Sequence, residues 1–145
     1  MAIGNGQTVF ETFTIEGKDF IDAGTVSTEI KAMLKELGVR AEIVRRVAIA
    51  MYEAEMNVVM YAERATVTME LTPRFIKIIV DDRGPGITDV ELAMQEGYST
   101  ATPEMRELGF GAGMGLPNIK KNADDFKIAS KIGKGTRLEI TIHIN

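Results

Sequence analysis

The chain has 145 residues, a net charge of −4 and no cysteine, and 45% of its residues are hydrophobic. This length gives one domain with its own core, and the negative charge argues against a nucleic-acid-binding protein that relies on phosphate contacts. Disulfides and thiolate metal sites are excluded, and no apolar run is long enough for a membrane span or a signal peptide. We therefore predict a single cytoplasmic domain, residues 1–145, that binds neither nucleic acid nor membrane.

The hydrophobic periodicity of the first half predicts a strand, two helices and two further strands. The first strand alternates up to Gly17, and Gly38 is placed to end the first helix. The second helix is longer and rich in alanine, methionine and glutamate, and a tight turn at residues 72–74 joins the two strands that follow it. In chain order we predict a strand over residues 8–17, helices over 19–38 and 41–62, and strands over 66–71 and 75–82.

The second half contains a glycine-rich loop between two short helices and ends in a hairpin. Pro117 suits the first turn of the helix after the loop, and the sequence "GKG" provides the final turn. We predict helices over residues 89–97 and 116–124 and strands over 126–132 and 136–144. This order is typical of an α+β fold, a two-layer α/β sandwich whose mixed, mostly antiparallel sheet is covered on one face by helices.

The first candidate site is the pair Glu53 and Asn57 in the long helix. Because the two residues are four apart, their side chains share one face of the helix with apolar neighbours. A carboxylate and a carboxamide in such surroundings suit a general base and an oxygen ligand for a hard cation, respectively. The alternative is a solvated helix edge, on which Glu55 is one more ordinary carboxylate.

The second candidate site is the sequence "DDRGPGI" at the end of the strand over 75–82. Asp82 lies at the edge of the strand, where a carboxylate can accept a hydrogen bond from an exocyclic amine such as that of adenine. Gly84 and Gly86 then allow the backbone to approach a flat ligand closely. The alternative is a Gly-Pro-Gly turn that only ends the strand.

The third candidate site is the stretch "LGFGAGMGLPNIKK", in which residues 109, 111, 113 and 115 are all glycine. It matches neither the dinucleotide-binding fingerprint nor the Walker A loop, because the glycine spacing differs and no Gly-Lys-Ser/Thr follows. A glycine loop that runs into a helix N-terminus can bind an anion such as phosphate. The alternative is a flexible surface loop without a ligand. Taken together, the three sites supply what binding of a magnesium nucleotide requires.

These motifs, in this order, resemble those of the GHKL ATPases, which include the gyrase ATPase domain, sensor histidine kinases and MutL. The family's Glu-x-x-x-Asn box is matched by Glu53 and Asn57, and its Asp-x-Gly-x-Gly box is matched by the segment from Asp82 to Gly86. The glycine lid is matched by residues 111, 113 and 115, and the late Gly-Thr by 135 and 136. The similarity extends over nearly the whole chain and implies the GHKL, or Bergerat, nucleotide-binding fold.

The resemblance implies a role for each matched residue in binding ATP or ADP with Mg²⁺. Asn57 would be the Mg²⁺ ligand, Glu53 the catalytic base, and Asp82 the acceptor for the adenine amine, with Thr136 beside it. The remaining residues that it implies for nucleotide binding are Gly84, Gly86, Ile87, Gly111, Gly113, Met114, Gly115 and Leu116.

Within the family, the chain most resembles the small bacterial anti-sigma-factor serine/threonine kinases, and among them the stressosome switch kinase. That likeness implies phosphorylation of a STAS-domain partner, with a sigma factor or another regulator, or a second copy of the chain, as further partners. A nucleotide-dependent anti-sigma factor with little phosphotransfer is the alternative function. A histidine kinase fits poorly, because the single histidine, His143, lies in the last predicted strand. The role of residues 101–108, before the glycines, is left open.

Overall fold

The computed structural model describes residues 7–95 and 115–144. Along these residues five strands and four helices follow one another in the predicted order. They are β1 (Val9–Glu16), α1 (Thr25–Glu36), α2 (Ala41–Tyr61), β2 (Arg64–Leu71), β3 (Phe75–Arg83), α3 (Val90–Ala93), α4 (Gly115–Asn122), β4 (Asp125–Lys131) and β5 (Gly135–His143).

The five strands form one sheet in the order β1-β2-β3-β5-β4, and all four described pairings are antiparallel. The described sheet is therefore antiparallel, in agreement with the mostly antiparallel sheet that we predicted. Its strands alternate between buried and exposed positions because one face packs on the core and the other faces water. On the water face, Lys77 and Glu139 form an ion pair of 3.0 Å across β3 and β5.

The helices cover the other face of the sheet, which confirms the predicted two-layer sandwich. Helix α2 lies in the middle of this layer, with α1 and α4 both packed against it. The core between the layers includes Ile30, Leu34, Val47, Met51, Val67, Ile78 and Ile140. No helix among the described residues is both long enough and apolar enough to cross a membrane.

Two of the predicted helices are shorter than expected. Helix α1 begins at Thr25 rather than at residue 19, because Gly24 has a φ of 97° and cannot continue a helix N-terminally. Ile21, which we expected on this helix, is 94% exposed in the preceding turn. Helix α3 ends after one turn, with Asp89 Oδ1 accepting a hydrogen bond of 3.0 Å from the Leu92 N–H as its N-cap. The predicted end of this helix at residue 97 lies outside the described residues.

Candidate functional site

The predicted pair Glu53 and Asn57 lies on the side of α2 that meets the start of α4. Both side chains are half-buried. Glu53 Oε2 accepts a hydrogen bond of 2.9 Å from Nδ2 of Asn118, in the first turns of α4. Asn57 lies beside Gly115, since a Cβ added to Gly115 would be 3.2 Å from Asn57 Oδ1. The first and third candidate sites therefore meet in space.

The carboxylate of Asp82 lies at the end of β3, where it faces the first residues of β5. Its Oδ1 accepts a hydrogen bond of 2.9 Å from the N–H of Thr136. Burial raises the pKa of the Asp82 carboxyl, the negative charge of Asp81 adds to that rise, and the Thr136 N–H opposes it. Within the part of the chain that the structure describes, the Oδ2 of Asp82 accepts no hydrogen bond, and such a half-buried carboxylate can bind the amine of a planar ligand. Asp82 and Thr136, which belong to two different sequence motifs, are thus joined by a hydrogen bond.

Ile87 is connected to Thr136 through Ser130, a residue that the sequence analysis missed. The Ser130 hydroxyl on β4 accepts a hydrogen bond of 2.7 Å from the Ile87 N–H. It also lies 2.9 Å from the Thr136 hydroxyl. Ser130 faces Thr136 in the register of β4 and β5. Only that register identifies Ser130, because its position in the sequence carries no motif.

The glycines around Asp82 are required by the protein's own backbone. A Cβ on Gly135 would lie 2.0 Å from the carbonyl oxygen of Asp82, and one on Gly86 would lie 2.6 Å from that of Lys131. A Cβ on Gly84 would be 3.0 Å from Cα of Ala62, the residue that follows α2. The end of α2 is therefore packed directly against the loop after β3. Close approach of Gly84 and Gly86 to a ligand stays a prediction.

Helix α4 is described from Gly115 onward, at the last glycine of the glycine-rich segment. Leu116 is buried in the core at 7% exposure, so it anchors the first turn of this helix, and its contact with a nucleotide stays a prediction. Gly111, Gly113 and Met114 lie outside the described residues. The part of the lid that the structure describes is therefore its junction with α4, next to Asn57.

Glu55, which one of the two alternatives for Glu53 and Asn57 treated as an ordinary carboxylate of a solvated helix edge, has a structural role. It is 2% exposed rather than solvated. Its carboxylate accepts hydrogen bonds from the N–H groups of Gly24, Val26 and Ser27, at 3.1, 3.1 and 2.8 Å. These N–H groups lie at the N-terminus of α1, where they have no carbonyl partner within the helix, and the helix dipole favours a negative charge there. Glu55 therefore joins α1 to α2.

The donor groups present fit a magnesium ion that is held mainly by a nucleotide. No cluster of three or more histidine, cysteine, aspartate or glutamate side chains that could hold a metal occurs among residues 7–95 and 115–144. Mg²⁺ keeps several water ligands and usually takes one or two protein oxygens plus phosphate oxygens. The half-buried amide oxygen of Asn57, beside Gly115, has the chemistry of such a protein ligand.

The site as a whole thus has two parts, one on the helix layer and one on the sheet. The first part contains Glu53, Asn57 and Asn118, and the second contains Asp82 and Thr136. Ala62, which packs against the loop after β3, comes five residues after Asn57, and five residues of helix rise roughly 8 Å. The two parts of the site are therefore connected through the last residues of α2.

The family model of the histidine kinase-like ATPase domain matches residues 19–142 of the chain. The serine/threonine-protein kinase RsbT of Bacillus subtilis is 33% identical over 109 residues, which cover 72% of this chain and 76% of that protein. The anti-sigma F factor of Caldanaerobacter subterraneus is 31% identical over 122 residues, covering 81% and 82%.

Solved structures show the same fold at low sequence identity. The RsbU and RsbW domains of a Mycobacterium tuberculosis protein match with a TM-score of 0.59 and 18% identity, over 91% of this chain. The chain spans about a third of that structure's length, 32%. The Acinetobacter baumannii histidine kinase AdeS matches with a TM-score of 0.52 and 14% identity, over 93% of this chain and 68% of the kinase chain.

Proposed function

The chain belongs to the histidine kinase-like ATPase domain family, and from that premise we propose that it is an ATP- and Mg²⁺-dependent serine/threonine protein kinase. Its substrate is a STAS-domain protein of a bacterial partner-switching pathway, and it acts in the cytoplasm. The similarity to a protein named as a serine/threonine kinase supports this proposal. The single observation that carries it is the half-buried carboxylate of Glu53, oriented by Asn118 one helical turn from Asn57.

The sheet part of the site binds the adenine of ATP. Asp82 accepts a hydrogen bond from the exocyclic amine of the base, while the Thr136 N–H keeps the carboxylate in place. Ile87 lies beside this pair because Ser130 binds its N–H, and its side chain packs on the base. Gly111, Gly113 and Met114, which lie outside the described residues, contact the phosphates in this proposal.

The helix part of the site carries out the transfer. When bound between Asn57 and the phosphates, Mg²⁺ neutralises charge on the phosphate oxygens. Glu53 Oε1 accepts no hydrogen bond within the described residues, so it is available to a substrate hydroxyl. As that hydroxyl oxygen bonds to the γ-phosphorus, Glu53 takes its proton, the bond from phosphorus to the bridging oxygen breaks, and ADP leaves.

A second candidate function is a nucleotide-dependent anti-sigma factor that binds a sigma factor with little phosphotransfer. The observation that favours it is the 31% identity to a protein named as an anti-sigma F factor. The nucleotide site serves equally in this function, whereas Glu53 is not needed for it. A Glu53 variant therefore separates the two functions.

The test is transfer of γ-labelled phosphate from Mg-ATP to purified STAS-domain proteins of the same organism. Wild type, Glu53→Gln and the control Glu42→Gln are compared, because Glu42 is an exposed glutamate in the first turn of the same helix. We expect label on serine or threonine with wild type and the control, and at least a hundredfold slower transfer with Glu53→Gln, in line with the ~10²–10⁴-fold contribution of a general base.

Binding of a fluorescent ATP analogue is measured for all three proteins. Equal nucleotide binding without transfer to any STAS-domain protein, together with ATP-dependent capture of a sigma factor, would establish the second function. Absence of nucleotide binding by wild type would exclude both.

A further inference from the structure

A groove of about 760 Å³ runs between α1 and α2 and reaches the candidate base. Glu53 and Asn118 line one end of it, and Val39 and Ala41, at the connection of the two helices, line the other. Asn57 is not among its lining residues. The groove is therefore a separate approach to Glu53, distinct from the side where the Mg²⁺ ligand lies.

The helix pattern explains why the groove is long and straight. Its α2 wall contains Ala41, Arg45, Ile49 and Glu53, which are spaced four residues apart and so share one face. Twelve residues of helix rise about 18 Å. An extended chain covers at most about 3.3–3.6 Å per residue, so the groove has room for about five residues of a partner segment.

The charge of the groove is opposite to that of the protein. Lys31, Lys35 and Arg45 line it, and among its described lining residues Glu53, at its end, is the one acidic residue. Within the described part of the chain, none of the three cations forms an ion pair. Because the chain as a whole carries a net charge of −4, three unpaired cations in one groove favour an acidic occupant.

The groove also offers apolar contact area near its Glu53 end. Ile49 is 38% exposed and Tyr52 is 45% exposed, and both line the groove. Exposed aromatic and branched side chains beside a concave, charged surface are typical of protein contacts rather than of a site for a simple ion. A polypeptide segment fits this combination of length, charge and apolar area.

We propose that the α1–α2 groove binds an acidic segment of the protein that is phosphorylated and directs its serine or threonine hydroxyl to Glu53. This inference rests on the proposed kinase function. Lys31 and Lys35 select the acidic segment, and Ile49 and Tyr52 contact the residues around the acceptor.

The test compares Lys31→Glu/Lys35→Glu with a control of the same charge change, Arg74→Glu/Lys127→Glu. Arg74 and Lys127 are exposed, and they lie in the β2–β3 turn and on the edge strand β4. Thermal unfolding and binding of a fluorescent ATP analogue confirm that each variant is folded. A milder pair, Lys31→Gln/Lys35→Gln, replaces the first if that variant does not fold.

The first readout is the KM for the STAS-domain substrate. We expect Lys31→Glu/Lys35→Glu, the groove variant, to raise this KM about tenfold, because the charges guide association. The kcat and the nucleotide affinity should change little. Added salt should raise the wild-type KM and leave that of the groove variant nearly constant. An unchanged KM in the groove variant, or an equal rise in the control, would overturn the proposal.

The second readout does not depend on phosphotransfer. A fluorescein-labelled peptide Glu-Asp-Glu-Ser-Asp-Glu is titrated against the Mg-ADP form, beside the neutral peptide Gln-Asn-Gln-Ser-Asn-Gln. We expect wild type and control to prefer the acidic peptide and the groove variant to lose that preference. The groove variant could lose this preference while wild type transfers phosphate to no STAS-domain protein. That result would support the groove as a binding site and exclude the kinase function. No preference in wild type would overturn the groove whatever the kinase result.

Sedimentation of the same proteins tests a second copy of the chain as the occupant. A wild-type dimer that becomes monomeric only in the groove variant would assign the groove to self-association and overturn the proposal. A single oligomeric state for all three proteins supports it.

Discussion

Asn118 Nδ2 donates a hydrogen bond of 2.9 Å to Glu53 Oε2 and so connects α4 to the candidate base on α2. Helix α4 is described from Gly115 onward, and Gly115 is the last glycine of the glycine-rich segment. The orientation of the Glu53 carboxylate therefore depends on the position of the helix that follows the lid. This geometry makes Asn118 a positioning residue for the proposed base, because its amide donates to the Glu53 carboxylate.

We expect Asn118→Ala to slow phosphotransfer about tenfold to a hundredfold, since a small misplacement of a catalytic group costs that much. The KM for the substrate and the affinity for the ATP analogue should change little. Single-turnover transfer from Mg-ATP measures the effect, and Asn118→Gln, which keeps the amide donor, should recover part of the rate.

The matched control for this prediction is Asn122→Ala. Asn122 lies one turn later on α4, and its Nδ2 donates to the backbone oxygen of Asn118 rather than to Glu53. Its truncation should leave the rate within about twofold of wild type, because it removes a hydrogen bond to the backbone of α4 and none to Glu53. Equal rates in both alanine variants would show that Asn118 does not position the base.

Asp82→Asn separates stability from nucleotide binding. The asparagine keeps an oxygen for the Thr136 N–H but loses the acceptor-only carboxylate, so binding of ATP should weaken about tenfold to a hundredfold, as expected for a buried polar contact that is lost. The nucleotide-free protein should be as stable as wild type or more stable at pH 7. Titration calorimetry and urea unfolding measure the two effects.

The pH dependence of this difference follows from the direction of the pKa shift. Burial raises the pKa of Asp82 in the folded protein, so the folded state holds the proton more tightly than the unfolded state. The wild type therefore gains stability from Asp82 below the ordinary aspartate pKa and loses it as pH rises through the raised folded value. The stability advantage of Asp82→Asn should shrink as pH falls through this window. An advantage that grows on acidification would contradict the cause we assign.

The sequence predicted the elements that have strong periodicity and missed contacts that depend on tertiary structure. Helix α2 and the β2–β3 pair were predicted within about two residues at each end, because their apolar spacing is regular. Glu53, Asn57 and Asp82 were identified by motifs on single elements. Ser130 was missed because it joins the site through the register of β4 and β5.

Helix α1 shows that a local apolar pattern can also predict more helix than the structure contains. Residues 19–24 contain apolar residues at helical spacing, and yet the helix begins only at Thr25. Its start is determined by Gly24 and by a carboxylate that is 31 positions away in the sequence, Glu55. A local pattern cannot contain that information, since a lone glutamate on α2 has the same appearance whether it is solvated or buried.

Glu55→Ala should destabilise the protein by at least about 3 kcal/mol, because it leaves three backbone N–H groups unpaired where a charged acceptor held them. Glu55→Gln should cost less, since one oxygen remains to accept. Urea unfolding without nucleotide measures both.

The control for Glu55 is Glu29→Ala on α1. Glu29 is exposed, so its removal should change the free energy of unfolding by no more than about 0.5 kcal/mol. If Glu55→Ala costs as little as this control, the carboxylate does not hold the start of α1.

Gly86 and Gly133 provide a matched pair for the loop beside Asp82. Their φ angles are 79° and 78°, so alanine at either position meets the same backbone strain, about 1 kcal/mol. Only Gly86 meets a neighbour, since its added Cβ would lie 2.6 Å from the carbonyl oxygen of Lys131, whereas the Cβ at Gly133 meets nothing within 4 Å. We therefore expect Gly133→Ala to cost about 1 kcal/mol and Gly86→Ala at least about 2 kcal/mol more, as overpacking against rigid backbone does.

Binding of the ATP analogue should weaken only in Gly86→Ala, because the shift reaches Ile87 and its hydrogen bond to Ser130. Equal losses of stability in urea unfolding would mean that the loop after β3 moves freely away from β4, and the packing that we assign to Gly86 would then be wrong.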